Sequence, residues 1–69
     1  MNTKIVYMYR HSFAKTQAEA AKLMGLSLSA YRSRETGKTE FDRSEMLKFT
    51  SLVQKEKPDI TVNDIFFSD

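Results

Sequence analysis

The amino-acid sequence predicts an all-α domain of five helices, and three observations carry that prediction. Helix-start signals recur: Thr16-x-x-Glu19, Asp42-x-x-Glu45 and Thr61-x-x-Asp64 each place a capping side chain three residues before an acid, the spacing of a capping box. Between these starts, apolar residues repeat at helical rather than alternating intervals. Gly25, Gly37 and Pro58, the only residues of their kinds, fall between the periodic segments, where they end or forbid helices.

The first helix is expected over residues 3–13, with Val6, Tyr9 and Phe13 as its inner stripe. The second covers 17–24, starts at Thr16, turns Ala20, Ala21 and Met24 inward, and stops at Gly25, a residue suited to a left-handed C-terminal position. Ser27 caps the third, over 28–36, with Leu26 and Tyr31 as the flanking apolar pair; Gly37 ends it. The fourth spans 43–56, with Phe41 and Met46 as a staple and Met46, Leu47, Phe49, Thr50 and Val53 on its buried side. Lys55 and Lys57 suit its negative C-terminus, and Pro58 prevents continuation. A short fifth helix covers 62–67, stapled by Ile60 and Ile65.

A 69-residue chain holds one domain. Domains this small bury only about 60% of their unfolded surface, and their cores supply roughly 3–5 kcal/mol. With no cysteine and a lone histidine, His11, neither a disulfide framework nor a protein-held metal is available to supplement that core. A partner subunit is the stabiliser left open. No carboxylate pair, Ser/His/Asp set, metal cluster or Gly-rich phosphate loop appears in the sequence, so an enzyme, a cofactor and a small-molecule ligand are not expected. No apolar run is long enough to span a membrane, and the expectation is a soluble, cytoplasmic protein.

Charge is unevenly divided. Residues 1–38 carry seven basic side chains against two acidic ones, a net +5, whereas residues 39–69 carry four against seven, a net −3. Such asymmetry fits a front that meets a polyanion and a back that avoids it, or simply two solvated faces.

The second and third helices form the central feature. Gly25 permits a sharp turn, Ala21 is small enough for close crossing, and Leu26 with Tyr31 plugs the angle. This is the arrangement of a helix-turn-helix, whose second helix protrudes enough to enter a DNA major groove. The run Thr16-Gln17-Ala18-Glu19-Ala20-Ala21-Lys22-Leu23-Met24-Gly25-Leu26-Ser27 resembles the helix-2-and-turn signature of the lambda-repressor-like family, which includes phage repressors and Cro proteins. Arg34-Glu35-Thr36-Gly37-Lys38 resembles that family's end of the recognition helix, and Arg10 stands where members often carry an Arg that pairs with the equivalent of Glu35. The likeness extends over about residues 4–67. Two positions depart from it: Ala20 and Arg34 stand where the family usually has large apolar residues. Tyr31 is expected to fill the space left by Ala20. Arg34 is expected to lay its stem on the core and reach a phosphate or an acid.

The resemblance implies a role for each exposed residue. Leu28, Ser29, Arg32 and Ser33 fall where the family reads bases; Arg32 suits a bidentate contact to guanine and Leu28 a thymine methyl. Gln17 resembles the family's phosphate-gripping Gln that also braces base-reading side chains, and Ser27, Lys38 and Thr39 fall beside the sugar-phosphate backbone. Plainer roles suit the same residues. Ser27 can be a cap alone, Gln17 an early-helix residue, and Arg10 with Glu35 two solvated side chains.

The implied function is a sequence-specific, double-stranded-DNA-binding transcriptional regulator in a bacterial or phage-infected cell. A Cro-like or short phage-repressor role fits the chain length, with the third helix in the major groove of a palindromic operator. An antitoxin or restriction-modification controller would look nearly identical. A helical interaction module that reads no DNA is the alternative from a different class. The tail, residues 59–69, crowds Ile60, Val62, Ile65, Phe66 and Phe67 into eight residues. The expectation is a homodimer with Ile60, Ile65, Phe66 and Phe67 at the interface; the alternative is that Pro58 folds all five back into the core.

Overall fold

Five short polar side chains open five helices. In the computed structural model, which describes residues 1–68, Asn2, Thr16, Ser27, Asp42 and Thr61 occupy the N-cap positions of α1 (Thr3–Arg10), α2 (Gln17–Met24), α3 (Leu28–Glu35), α4 (Arg43–Gln54) and α5 (Val62–Phe66). Each cap oxygen accepts from a backbone N–H of the first turn, satisfying donors that the helix itself leaves open. The predicted all-α architecture of five helices is the one observed, with no strand among the described residues. Asp69, the last residue of the predicted tail, lies outside them.

Reciprocal capping boxes form at α4 and α5. At α2 only half of the expected box is present. Thr16 Oγ1 accepts from the Glu19 amide at 3.1 Å, but the Glu19 carboxylate accepts from the Thr16 hydroxyl rather than from its backbone.

The glycines end α2 and α3 in the same way. Gly25 (φ +73°) and Gly37 (φ +87°) are left-handed. The next residue, Leu26 or Lys38, donates back to Ala21 O or Ser33 O, at 2.9 Å in both cases. This Schellman closure needs a residue that tolerates positive φ.

Three helices are shorter than expected at their C-termini by a residue or two, and α1 by a full turn. After Arg10 the chain winds more tightly: Ser12 N donates to Tyr9 O and Phe13 N to Arg10 O, an i→i−3 pattern. The tighter winding accompanies the edge-to-face contact of Phe13 with Phe49, 5.1 Å between centroids.

The core centres on three aromatic rings from different elements. Phe41, Phe49 and Phe66 meet one another edge to face at 5.1–5.7 Å, a favoured geometry for ring pairs. Val6, Ala20, Ala21, Met24, Tyr31, Val53 and Ile65 close around them. Ala20 and Tyr31 are both fully buried.

Two burial assignments are corrected. Leu47 was expected on the buried side of α4 but is 52% exposed, whereas Leu52 takes a core position. Ile65 and Phe66, expected at a dimer interface, are 0% and 2% exposed within this single chain. α5 packs on α1 and α4, so Ile65 and Phe66 complete the core, while Phe67 stays exposed. No helix among the described residues is long and apolar enough to cross a membrane.

Candidate nucleic-acid interface

Glu35, at the C-terminal end of α3, is the centre of a polar cluster beneath the exposed surface. Its Oε1 accepts from Arg10 Nε at 2.9 Å and from the Tyr31 hydroxyl at 2.7 Å; its Oε2 accepts from Gln17 Nε2 at 2.8 Å. Both charged side chains of the Arg10–Glu35 pair are 4% exposed. Arg10 Nη1 also donates to the backbone carbonyls of Ala14 and Lys15, tying the α1–α2 connection to the pair. Among the described residues no buried side-chain polar atom lacks a partner, as burial of charge requires.

The electrostatics follow from this arrangement. Burial alone would raise the Glu35 carboxyl pKa, but the donors Arg10, Gln17 and Tyr31 outweigh it and hold the carboxyl below its ordinary value. Burial lowers the Arg10 value, yet Glu35 overcompensates and raises it. Burial and the adjacent Glu35 carboxylate both push the Tyr31 hydroxyl well above its usual range. Arg10 and Glu35 are therefore charged, and Tyr31 neutral, across the ordinary pH range.

Sequence reasoning paired Arg10 with Glu35 and missed Tyr31 as a partner. Its signal was present, since Tyr31 and Glu35 lie four apart and so share one helix face.

Gln17 connects this buried cluster to the surface. Its Nε2 donates to Glu35 while its Oε1 accepts from Arg32 Nε at 3.1 Å. Arg32 is exposed, as are Ser27, Leu28 and Ser29; Ser33 is half-buried. Ser27 Oγ is engaged as the α3 cap, accepting from Ala30 N. Lys38 and Thr39 are exposed on the loop beyond Gly37. α2 and α3 pack more extensively on each other than any other helix pair, so the two helices carry Gln17 and Arg32 as a unit.

Arg34 reaches an acid. Its Nε donates to Glu45 at 2.8 Å and its Nη1 to Ala30 O at 3.0 Å, with the side chain half-buried. It bridges α3 to the start of α4 and is not available on the outer face of α3.

A second surface feature lies at α4 and α5. Leu47 and Phe67, 52% and 63% exposed, line a groove with Arg43, Met46, Val62 and Asn63. Phe67 also borders an adjoining groove that reaches Thr36, Gly37 and Thr39. Of the four residues expected at an interface, Phe67 alone is exposed; Ile60 is half-buried, and Ile65 and Phe66 are core. No family model, curated protein or solved structure matches the chain.

Proposed function

We propose that this protein is a sequence-specific, double-stranded-DNA-binding transcriptional regulator of the Cro or short phage-repressor kind. The observation that carries the reading is the outer face of α3. Leu28, Ser29 and Arg32 are exposed there, and Arg32 is held by Gln17 at the start of the preceding helix. In this reading α2 and α3 form a helix-turn-helix, and α3 enters the major groove with Leu28, Ser29, Arg32 and Ser33 toward base edges.

Phosphate contacts come from the first turn of α2 at Gln17, from Ser27, and from the Lys38–Thr39 loop. The net +5 of residues 1–38, against −3 for residues 39–69, supports α1–α3 as the side that faces DNA. The chain acts as a homodimer through the exposed Leu47–Phe67 surface. In such a dimer the two α3 helices read half-sites about 10 base pairs apart, one turn of the duplex.

Selection of bound duplexes from a random pool tests the reading. A two-fold symmetric consensus is expected; the absence of any enriched sequence would overturn it.

A further inference from the structure

Arg32 carries three groups of donors, and only one of them is engaged. Nε donates to Gln17 Oε1, whereas neither terminal nitrogen donates to an acceptor among the described residues. A guanidinium can present two parallel N–H bonds side on, through Nε and one terminal nitrogen, or end on, through both terminal nitrogens. The Gln17 bond removes the first option.

Which way the Gln17 amide faces is itself determined. Glu35 Oε2 is a charged acceptor 2.8 Å from Gln17 Nε2, and the Glu35 carboxyl stays ionised because Arg10 and Tyr31 also donate to it. A carboxylate accepts only from the NH₂ end of an amide. The carbonyl end is then left to face Arg32, and a flipped Gln17 would set oxygen against carboxylate and NH₂ against guanidinium. Both contacts would be lost.

We infer that Glu35, acting through Gln17, is a positioning residue that restricts Arg32 to end-on recognition of two adjacent acceptors, and that guanine O6 and N7 are those acceptors. The inference rests on the DNA-binding reading and deepens it. Guanine in the major groove offers that acceptor pair, and a pre-set side chain loses less freedom on binding than a free one. The buried ion pair thereby contributes to sequence choice as well as to folding.

Two measurements on the full chain test this. In the free protein, the Arg32 Nε–H resonance is expected to exchange slowly with water, and Gln17→Met should accelerate that exchange without altering the fold. With the duplex selected by the unaltered protein, replacing one guanine by 7-deazaguanine removes N7; it should weaken binding by about tenfold or more at one position. In Gln17→Met the same replacement should cost less than about threefold.

An Arg32 signal indifferent to Gln17→Met, alongside normal duplex selection, overturns the positioning role and leaves DNA binding standing. So does a 7-deazaguanine penalty of equal size in both proteins. If no duplex is enriched, the DNA reading fails and the guanine assignment fails with it, whatever the resonance does.

Discussion

Arg10 Nε lies 2.9 Å from Glu35 Oε1, joining α1 to α3 through a pair that is almost wholly removed from solvent. Each partner has further duties. Arg10 holds the carbonyls of Ala14 and Lys15, and Glu35 receives Tyr31 and Gln17. Deleting either side chain therefore strands more than one buried group.

Arg10→Ala is expected to destabilise the fold by about 3–5 kcal/mol, the cost of leaving a buried charge unpaired, against under 1 kcal/mol for an exposed pair. Arg10→Met with Glu35→Leu should recover much of the loss. Adding Tyr31→Phe should recover more, because it removes the hydroxyl that the double variant leaves without an acceptor. Urea midpoints for the series decide this, and an unchanged midpoint for Arg10→Ala would contradict the burial.

Stability should fall at both extremes of pH. Glu35 has a depressed folded pKa, so its contribution is complete above the unfolded glutamate value of about 4.3 and is lost as pH drops through the folded value. Tyr31 has a raised folded value. Its contribution is complete below the unfolded tyrosine value of about 10 and declines as pH rises beyond it. Denaturation midpoints across pH 2–11 should show both limbs, with Glu35→Gln flattening the acid limb and Tyr31→Phe the alkaline one.

Arg32 and Lys38 should separate cleanly in duplex binding. Arg32→Ala should weaken the selected duplex by about 1–3 kcal/mol and relax choice at one base position. Lys38→Ala should weaken all duplexes alike and reduce the salt slope by about one. Equal losses on selected and random duplexes for both variants would make Arg32 a phosphate contact only.

Phe66 and Phe67 offer an internal control for the proposed dimer. Phe66→Ala removes a buried ring and should cost about 3–5 kcal/mol. Phe67→Ser removes a ring that is 63% exposed and should leave the denaturation midpoint nearly unchanged. Combined with Leu47→Ser, it should make the protein monomeric by sedimentation and abolish cooperative binding to paired half-sites. Cooperative binding by the double variant would place the interface elsewhere.

The sequence alone determined where each helix begins and how α2 and α3 end. Caps at Thr16, Ser27, Asp42 and Thr61, and Schellman turns at Gly25 and Gly37, are made by groups a few residues apart in the chain. Their energetics are local and can be read without knowing the fold. Tertiary structure decided which apolar residues of one pattern face inward. Phe66 and Phe67 are identical neighbours, yet one joins Phe41 and Phe49 in the core and the other faces solvent. Leu47 loses its expected place in the core while Leu52 gains one, because helical spacing defines a stripe but not where its edges fall. The same holds for Gln17. Its position at the head of α2 was legible, but the direction of its amide depends on Glu35, eighteen residues away, and a hydrogen bond between distant residues exists only once packing has brought them together.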